Sequence, residues 1–282
     1  MNLKIAYLGP AATFSDEAAH KQFGPTAEYR PMRSIPDVFL ATARDEVDFG
    51  IVPVENSIEG SVTYTMDMFA RPDPELAALN ICAEVYLPIV ENLLVAPEGP
   101  QQLEEIELVY SHPQPIAQCR GWLSQNLPNV ELQEVSSTTR AAELAAANPK
   151  AAGIANTQAA EVYGLRILVP NIQDADFNQT RFLVITKQPL KPPEAFQAGR
   201  YTTALMLSIK DRVGALHAIT SIFVKYQINL NRIESRPSKQ KAWDYFFFID
   251  ITGHPTQPHL AAALEELSNE ARYVKVLGAW LR

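Results

Sequence analysis

Asn178-Gln179-Thr180-Arg181-Phe182 runs straight into the apolar stretch Leu183-Val184-Ile185-Thr186. The second half reads as a buried strand, and the first half puts side chains of different chemistry at its mouth. Where strands alternate with helices, polar groups at a strand's edge face a ligand crevice more often than bulk water. From these nine residues alone, a plain turn ahead of a strand stands equally open. The surrounding chain decides between the two.

Working outward, short apolar runs alternate with helical patterns through the first two thirds of the chain. Residues 4–8 form a strand ending at the turn Gly9-Pro10. Ser15 caps a helix through about Phe23, with Asp16 and Glu17 in its favoured first turn. Ser34 and Asp37 open a second helix. The run 49–54 is a buried strand that delivers Glu55-Asn56-Ser57, followed by a helix from about Ser61 to Phe69. Residues 81–96 are extended and broken at Pro88. Leu108-Val109-Tyr110 leads into Ser111-His112-Pro113-Gln114 and a helix from about Pro115 to Gln125. A strand at 130–135 precedes an alanine-rich helix from Ser137-Thr138 to Ala147. Strands at 151–155 and 165–169 flank a last helix. This rhythm predicts a mainly parallel sheet covered on both faces.

The polar clusters 9–15, 55–57, 111–118, 137–138 and 180–182 mostly sit at a strand's carboxyl end or a helix start. There, helix amino-termini offer N–H groups to anions. Five unrelated caps are the bland alternative. Beyond a proline-bearing stiff linker at 187–200, residues 201–282 read as βαββαβ, the ferredoxin-like order. The helix in that unit puts Leu216, Ile219, Phe223 and Tyr226 on one stripe.

At 282 residues, two domains are the natural expectation. Residues 1–186 hold 11 Lys+Arg against 24 Asp+Glu, and residues 187–282 hold 13 against 8. An acidic larger part argues against nucleic-acid binding. No apolar run approaches the ~18 residues of a membrane span, and residues 1–20 lack a signal pattern, so no membrane partner is expected. Cys82 and Cys119 have no metal-ligand spacing and read as buried thiols of a reducing cytoplasm.

With YLGPAATFS (7–15), VPVENSIEGSV (52–62), SHPQPIAQC (111–119), SSTTRAA (136–142), NQTRF (178–182), GAL (214–216) and INLNRIESRP (228–237) in order, the chain resembles the prephenate dehydratases that carry a carboxyl-terminal ACT regulatory domain. The resemblance implies an α/β fold: a two-lobed, periplasmic-binding-protein-like catalytic region followed by a ferredoxin-like ACT domain. It puts the catalytic region at 1–186 (one lobe 1–77 plus 174–186, the other 78–173), the linker at 187–200 and the ACT domain at 201–282. The implied reaction converts prephenate to phenylpyruvate with loss of carbon dioxide and water. No cofactor and no metal are expected, because aromatisation drives the step. No chorismate mutase helix precedes Met1, so a single activity is expected.

Carried across residue by residue, Thr180 matches the family's essential threonine, a positioned donor to the departing ring hydroxyl. Asn56 lines the cleft and can hydrogen-bond the ring hydroxyl or a carboxylate. Glu55 is either a protonated donor or a structural acceptor facing away. Ser111, Gln114 and Gln118 match the SHPQxxxQC signature, with the two glutamines on one helical face. Thr13, Phe14, Ser15, Ser57, Ser137, Thr138 and Phe182 complete the expected substrate contacts. Arg181 is the obvious cation, either for substrate or for an interlobe salt bridge. His112 is expected to be structural.

In the ACT part, the resemblance assigns L-phenylalanine as allosteric ligand to the turn Gly214-Ala215-Leu216 and to Asn231, Glu234, Ser235, Arg236 and Pro237. A homodimer or homotetramer would form through this part. Ala12 replaces a usual glycine, which puts a positive-φ backbone there in doubt. Val213 replaces a usual proline, and Asn231 a usual threonine. Arogenate dehydratase and a non-catalytic amino-acid sensor are the alternatives; the intact NQTRF stretch favours an enzyme.

Overall fold

In chain order, β1 (Lys4–Leu8), α1 (Phe14–Phe23), β2 (Glu28–Met32), α2 (Ile35–Ala43) and β3 (Phe49–Asn56) make two parallel crossovers, with β1 hydrogen-bonded to both β2 and β3. This is a computed structural model, and it describes residues 2–189, 200–239 and 243–282. Most of the expected linker, 190–199, lies outside the described residues. The Ser34 side chain accepts from the Asp37 N–H and caps α2. The buried Ile35, Val38, Phe39 and Thr42 then recur at helical spacing along that helix. α1 begins one residue before the expected cap: Thr13 is its N-cap, and Ser15 lies inside the first turn. The edge strand β2, Glu-Tyr-Arg-Pro-Met, carries no alternating apolar signal and was invisible to pattern reading.

Then follow β4 (Gly60–Ser61), α3 (Thr63–Ala70) and β5 (Asn80–Pro88). β6 (Asn92–Val95), β7 (Leu108–Ser111), α4 (Pro113–Gln118), α5 (Arg120–Asn126), β8 (Glu131–Glu134), α6 (Thr138–Ala147), β9 (Ala151–Ala155), α7 (Thr157–Tyr163) and β10 (Arg166–Val169) form a separate five-stranded sheet ordered β10-β6-β9-β7-β8. β11 (Gln179–Thr186) returns to the first sheet and lies between β3 and β5, antiparallel to both.

Both sheets are therefore mixed rather than mainly parallel. A returning strand with no crossover helix of its own enters antiparallel, as β11 does, and β6 pairs antiparallel with β9 and β10. Sheet membership also departs from the expected lobe division at 77/78. Residues 80–88 pair along nearly all of β11, so β5 stays with the first sheet and the chain crosses to the second sheet after Pro88. The two crossing segments run side by side, with Ile172 N–H donating to the Glu91 carbonyl at 2.8 Å.

The last part comprises β12 (Tyr201–Ser208), α8 (Ala215–Lys225), β13 (Leu230–Pro237), β14 (Tyr245–Thr252), α9 (Pro258–Glu270) and β15 (Tyr273–Leu281), in spatial order β13-β14-β12-β15. This is the expected βαββαβ unit, with α8 and α9 burying Ile219, Phe223, Leu260 and Leu267 against it. Its sheet is continuous with the first sheet, because β15 pairs with β5 at the Gly278–Ile81 register. A Cβ at Gly278 would sit 2.0 Å from the Ile81 carbonyl oxygen, so only glycine permits that approach. Met206, Phe246, Phe248 and Trp280 share one apolar core with Met66, Phe69, Leu76 and Ile81.

Candidate active site

The end of β3, the start of β11 and the first residues of α1, α4 and α6 converge on a cleft of about 310 Å³. Thr13, Phe14, Ser15, Asn56, Gln114, Gln118, Ser137, Thr138, Thr180 and Phe182 line it, and sequence reasoning named all ten. Among the described residues lining the cleft there is no lysine or arginine. An anion there meets hydroxyls, amides and the positive ends of α1 and α6 rather than a fixed cation.

The Asn56 side chain is oriented by its neighbours. Its Oδ1 accepts from the backbone N–H groups of Ile58 and Glu59, both at 2.9 Å. Its Nδ2 therefore faces the other way and donates to Asn178 Oδ1 (2.8 Å) and to Thr180 Oγ1 (3.0 Å). With its oxygen accepting from an amide, the Thr180 hydroxyl has its own proton left for a partner in the cleft. Asn178 Nδ2 donates to Gln118 Oε1 at 3.0 Å, which joins the two sheets across the site. The four side chains are buried, Thr180 being 9% exposed. Asn178 was not among the residues assigned from sequence, although it opens the NQTRF stretch.

Other expected residues lie elsewhere. Successive side chains on a strand point to opposite faces, so Asn56 turns inward and Glu55 turns away, pairing with Arg232 of β13 at 2.7 Å. Of the two readings of Glu55, the geometry matches the acceptor facing away. Ser57 accepts from Gln179 N–H and donates to the Phe177 carbonyl, both at 3.0 Å, and fastens the loop to the start of β11. Arg181 likewise points away from Thr180's face. Its guanidinium pairs with Glu84 of β5 (2.8 Å) and Asp250 of β14 (2.7 Å). The guanidinium lies outside the cleft lining and ties the first sheet to the carboxyl-terminal unit. Burial pushes the Arg181 ionisation down, and Asp250 and Glu84 more than offset it, so the group is held charged. Ser111 is buried at the end of β7, its Oγ without a hydrogen-bond partner and outside the cleft lining. His112 lines the cleft as the cap of α4, its Nδ1 accepting from Gln114 N–H at 3.3 Å.

Several lining residues carried no assignment from sequence, and the one carboxyl among them is Glu91. Glu91 is 1% exposed and neither of its carboxylate oxygens has a hydrogen-bond partner. Burial first, and Glu17 second, push its titration up to about 8. The available signal was a lone carboxylate inside the apolar run Leu87-Pro88-Ile89-Val90-Glu91-Asn92-Leu93-Leu94.

Ala12 adopts φ +61°, so the left-handed backbone put in doubt by the missing glycine is present with alanine. Asp16 Oδ2 accepts from Ala12 N–H at 2.7 Å and fixes the turn. Gly214 has φ +77° and caps α8. Ala215 is buried and Leu216 is 39% exposed beside it. Along β13, Arg232, Glu234 and Arg236 face Glu55, Ser61 and Asp67 of the first part, while Asn231, Ser235 and Pro237 are exposed on the other face. Among the described residues lining the pocket at the Gly214 turn there is none from β13. Among the described residues there is no group of three or more His, Cys, Asp or Glu arranged to hold a metal, and no helix long and apolar enough to cross a membrane.

The fold and cleft define a two-sheet α/β protein whose cleft is lined by hydroxyl and amide groups, with a ferredoxin-like module fused to its sheet. The prephenate dehydratase family model matches residues 5–190, and the ACT domain model matches 203–269. The chain is 46% identical over 278 residues to a bifunctional chorismate mutase/prephenate dehydratase of Aquifex aeolicus (strain VF5), covering 99% of this chain and 73% of that one. It is 37% identical over 289 residues to a prephenate dehydratase of Bacillus subtilis (strain 168), covering 99% and 98%. A solved prephenate dehydratase from Arthrobacter aurescens in complex with L-Phe superposes with a TM-score of 0.87 at 32% identity, over 99% of this chain and 90% of that one. The chain belongs to the prephenate dehydratase family, whose members are lyases, and it carries an ACT domain.

Proposed function

We propose that this chain converts prephenate to phenylpyruvate, carbon dioxide and water, and that L-phenylalanine regulates it through the ACT domain. The observation that carries the reading is the Asn56–Thr180 hydrogen bond, which leaves the threonine proton free at the cleft. In this reading Thr180 donates to the departing ring hydroxyl. Gln114, Gln118, Thr13, Ser15, Ser137 and Thr138 hold the two carboxylates with the amino-termini of α1 and α6. Phe14 and Phe182 pack the ring. Asn178 and Asn56 position Thr180. Glu55, Ser57 and Arg181 serve as fasteners between elements, and Ser111 lies behind the cleft wall.

The L-Phe bound to the Arthrobacter aurescens relative supports the same ligand here. The pocket at the Gly214 turn takes in none of the exposed residues Asn231, Ser235 and Pro237 of the same chain. A ligand held by both needs a second copy, so a homodimer, or a homotetramer built from it, is the proposed assembly. Glu234 and Arg236 in this reading couple β13 to the catalytic region through Ser61 and Asp67. The unpaired thiols Cys82 and Cys119 fit a reducing cytoplasm.

The test is phenylpyruvate formation from prephenate by the purified protein, with and without L-phenylalanine and beside an arogenate control. Turnover of prephenate suppressed by phenylalanine is the expected result. Turnover of arogenate alone would change the substrate, and turnover of neither would overturn the reading.

A further inference from the structure

Glu91 sits on the segment that crosses from the first sheet to the second. Its backbone is fastened there: the N–H donates to Gln173 Oε1 at 3.0 Å and the carbonyl accepts from Ile172 N–H at 2.8 Å. Its side chain has no such fastening. Both carboxylate oxygens are buried without a hydrogen-bond partner, in a residue that lines the cleft beside Thr180, Asn56 and Gln118. Buried polar groups are nearly always satisfied, so an orphaned carboxyl in a cleft calls for a missing partner. It is also the one Asp or Glu among the described residues lining that cleft, where no cation offsets it.

The proposed dehydration has an unfilled requirement that fits. The ring hydroxyl must leave as water, which needs one proton per turnover. A threonine hydroxyl is far too weak an acid to give its proton up for good; Thr180 can only share it. His112, the other titratable residue lining the cleft, is committed as the cap of α4.

We propose that Glu91, as the neutral carboxylic acid, is a further catalytic residue of this site and supplies the proton that departs with the ring hydroxyl. The inference rests on the prephenate reading of the cleft. The bond from the ring to its carboxylate breaks, and that electron pair enters the ring as carbon dioxide leaves. The carbon–oxygen bond to the hydroxyl breaks with its pair on oxygen, and the Glu91 proton completes the water. Glu91 is left as a carboxylate and recovers a proton from solvent before the next turnover. Thr180 hydrogen-bonds the departing oxygen and holds it in line. In a cleft without a cation, ionised Glu91 would also repel a dianionic substrate, so the neutral form both binds and reacts.

The titratable groups around Glu91 are Glu17 on α1, Cys119 at the junction of α4 and α5, and His112 at the start of α4. Glu17 is itself pushed up by burial, although its Oε2 accepts from Asn156 at 3.0 Å. An alkaline fall in rate could arise from either acid, so the test must separate them. Steady-state kinetics on prephenate from about pH 6 to 10 are measured for the wild type and for Glu91→Gln. The expected result is a wild-type kcat that falls above about pH 8, and a variant kcat lower by ~10²-fold or more that no longer shows this limb. A variant kcat within about threefold of wild type, or one that keeps the same alkaline limb, overturns the proposal. If Glu91→Gln does not fold, the wild-type profile still decides: a kcat flat up to about pH 10 overturns it. Absence of any wild-type turnover defeats the prephenate reading instead, so the two failures are distinguishable.

Discussion

The protonation of Glu91 has a consequence for stability that needs no substrate. In the folded protein the carboxyl is buried and its titration lies at about 8, against 4.5 for the free group. The folded state therefore binds a proton that the unfolded chain has released at neutral pH. For a carboxyl raised in this way, the stability contribution is fully present below the unfolded value and is lost as pH rises through the folded one. Each pH unit in between is worth ~1.4 kcal/mol. At pH 7 roughly 2.5 of these units have been crossed, which amounts to about 3 kcal/mol against the fold. Glutamine has the same shape and no proton to lose. The wild type should therefore lose stability relative to Glu91→Gln by ~1.4 kcal/mol per pH unit between about pH 5 and 8. Urea unfolding followed by tryptophan fluorescence at several pH values in that window measures both slopes. The buried glutamine amide does not titrate, so it shifts the whole curve by a constant and cannot imitate the slope. Parallel stability–pH curves for the two proteins would refute a neutral buried Glu91.

Thr180→Ala should keep the fold and lower kcat by ~10²–10⁴-fold; an unaltered kcat for phenylpyruvate formation would remove Thr180 from the chemistry. Arg181→Met leaves Glu84 and Asp250 buried without their shared cation, and should cost about 3–5 kcal/mol in urea unfolding. A loss below ~1 kcal/mol would mean that the triad is solvated like a surface pair. Gly278→Ala drives a methyl against the Ile81 carbonyl and should lower stability by ~1–3 kcal/mol, read as a fall in Tm; an unchanged Tm would show that the β15–β5 junction can open at no cost. Gly214→Val forces a β-branched residue to φ +77° at the cap of α8, where space is free but the backbone conformation is not. It should abolish phenylalanine inhibition while sparing basal turnover, and retained inhibition at the same concentration would move the ligand elsewhere.

The alternation of strand and helix and the βαββαβ order of the last part were legible because each rests on local information, whereas the ten cleft residues were named through the motifs the chain shares with its family. Apolar periodicity is a property of adjacent residues, and a cap such as Ser34 or Ser137 satisfies N–H groups two or three positions away. Thr180 and Asn56 could be singled out from the motifs, but their hydrogen bond joins residues 124 positions apart. Only folded β3 and β11 settle which face of each strand meets the cleft. The same pairing turned Glu55 and Arg181 outward, one residue from the side chains that line it. β2 escaped notice because its edge position tolerates Arg and Pro.

The chain by itself determined most of the segments that become strands and helices, and where helix amino-termini gather. Only the tertiary structure decided that β11 returns antiparallel between β3 and β5, that the ACT sheet continues the catalytic sheet through Gly278, and that Glu91 is buried without a partner. Those outcomes depend on which distant surfaces exclude water together, and no run of adjacent residues encodes the dielectric that a side chain meets after folding.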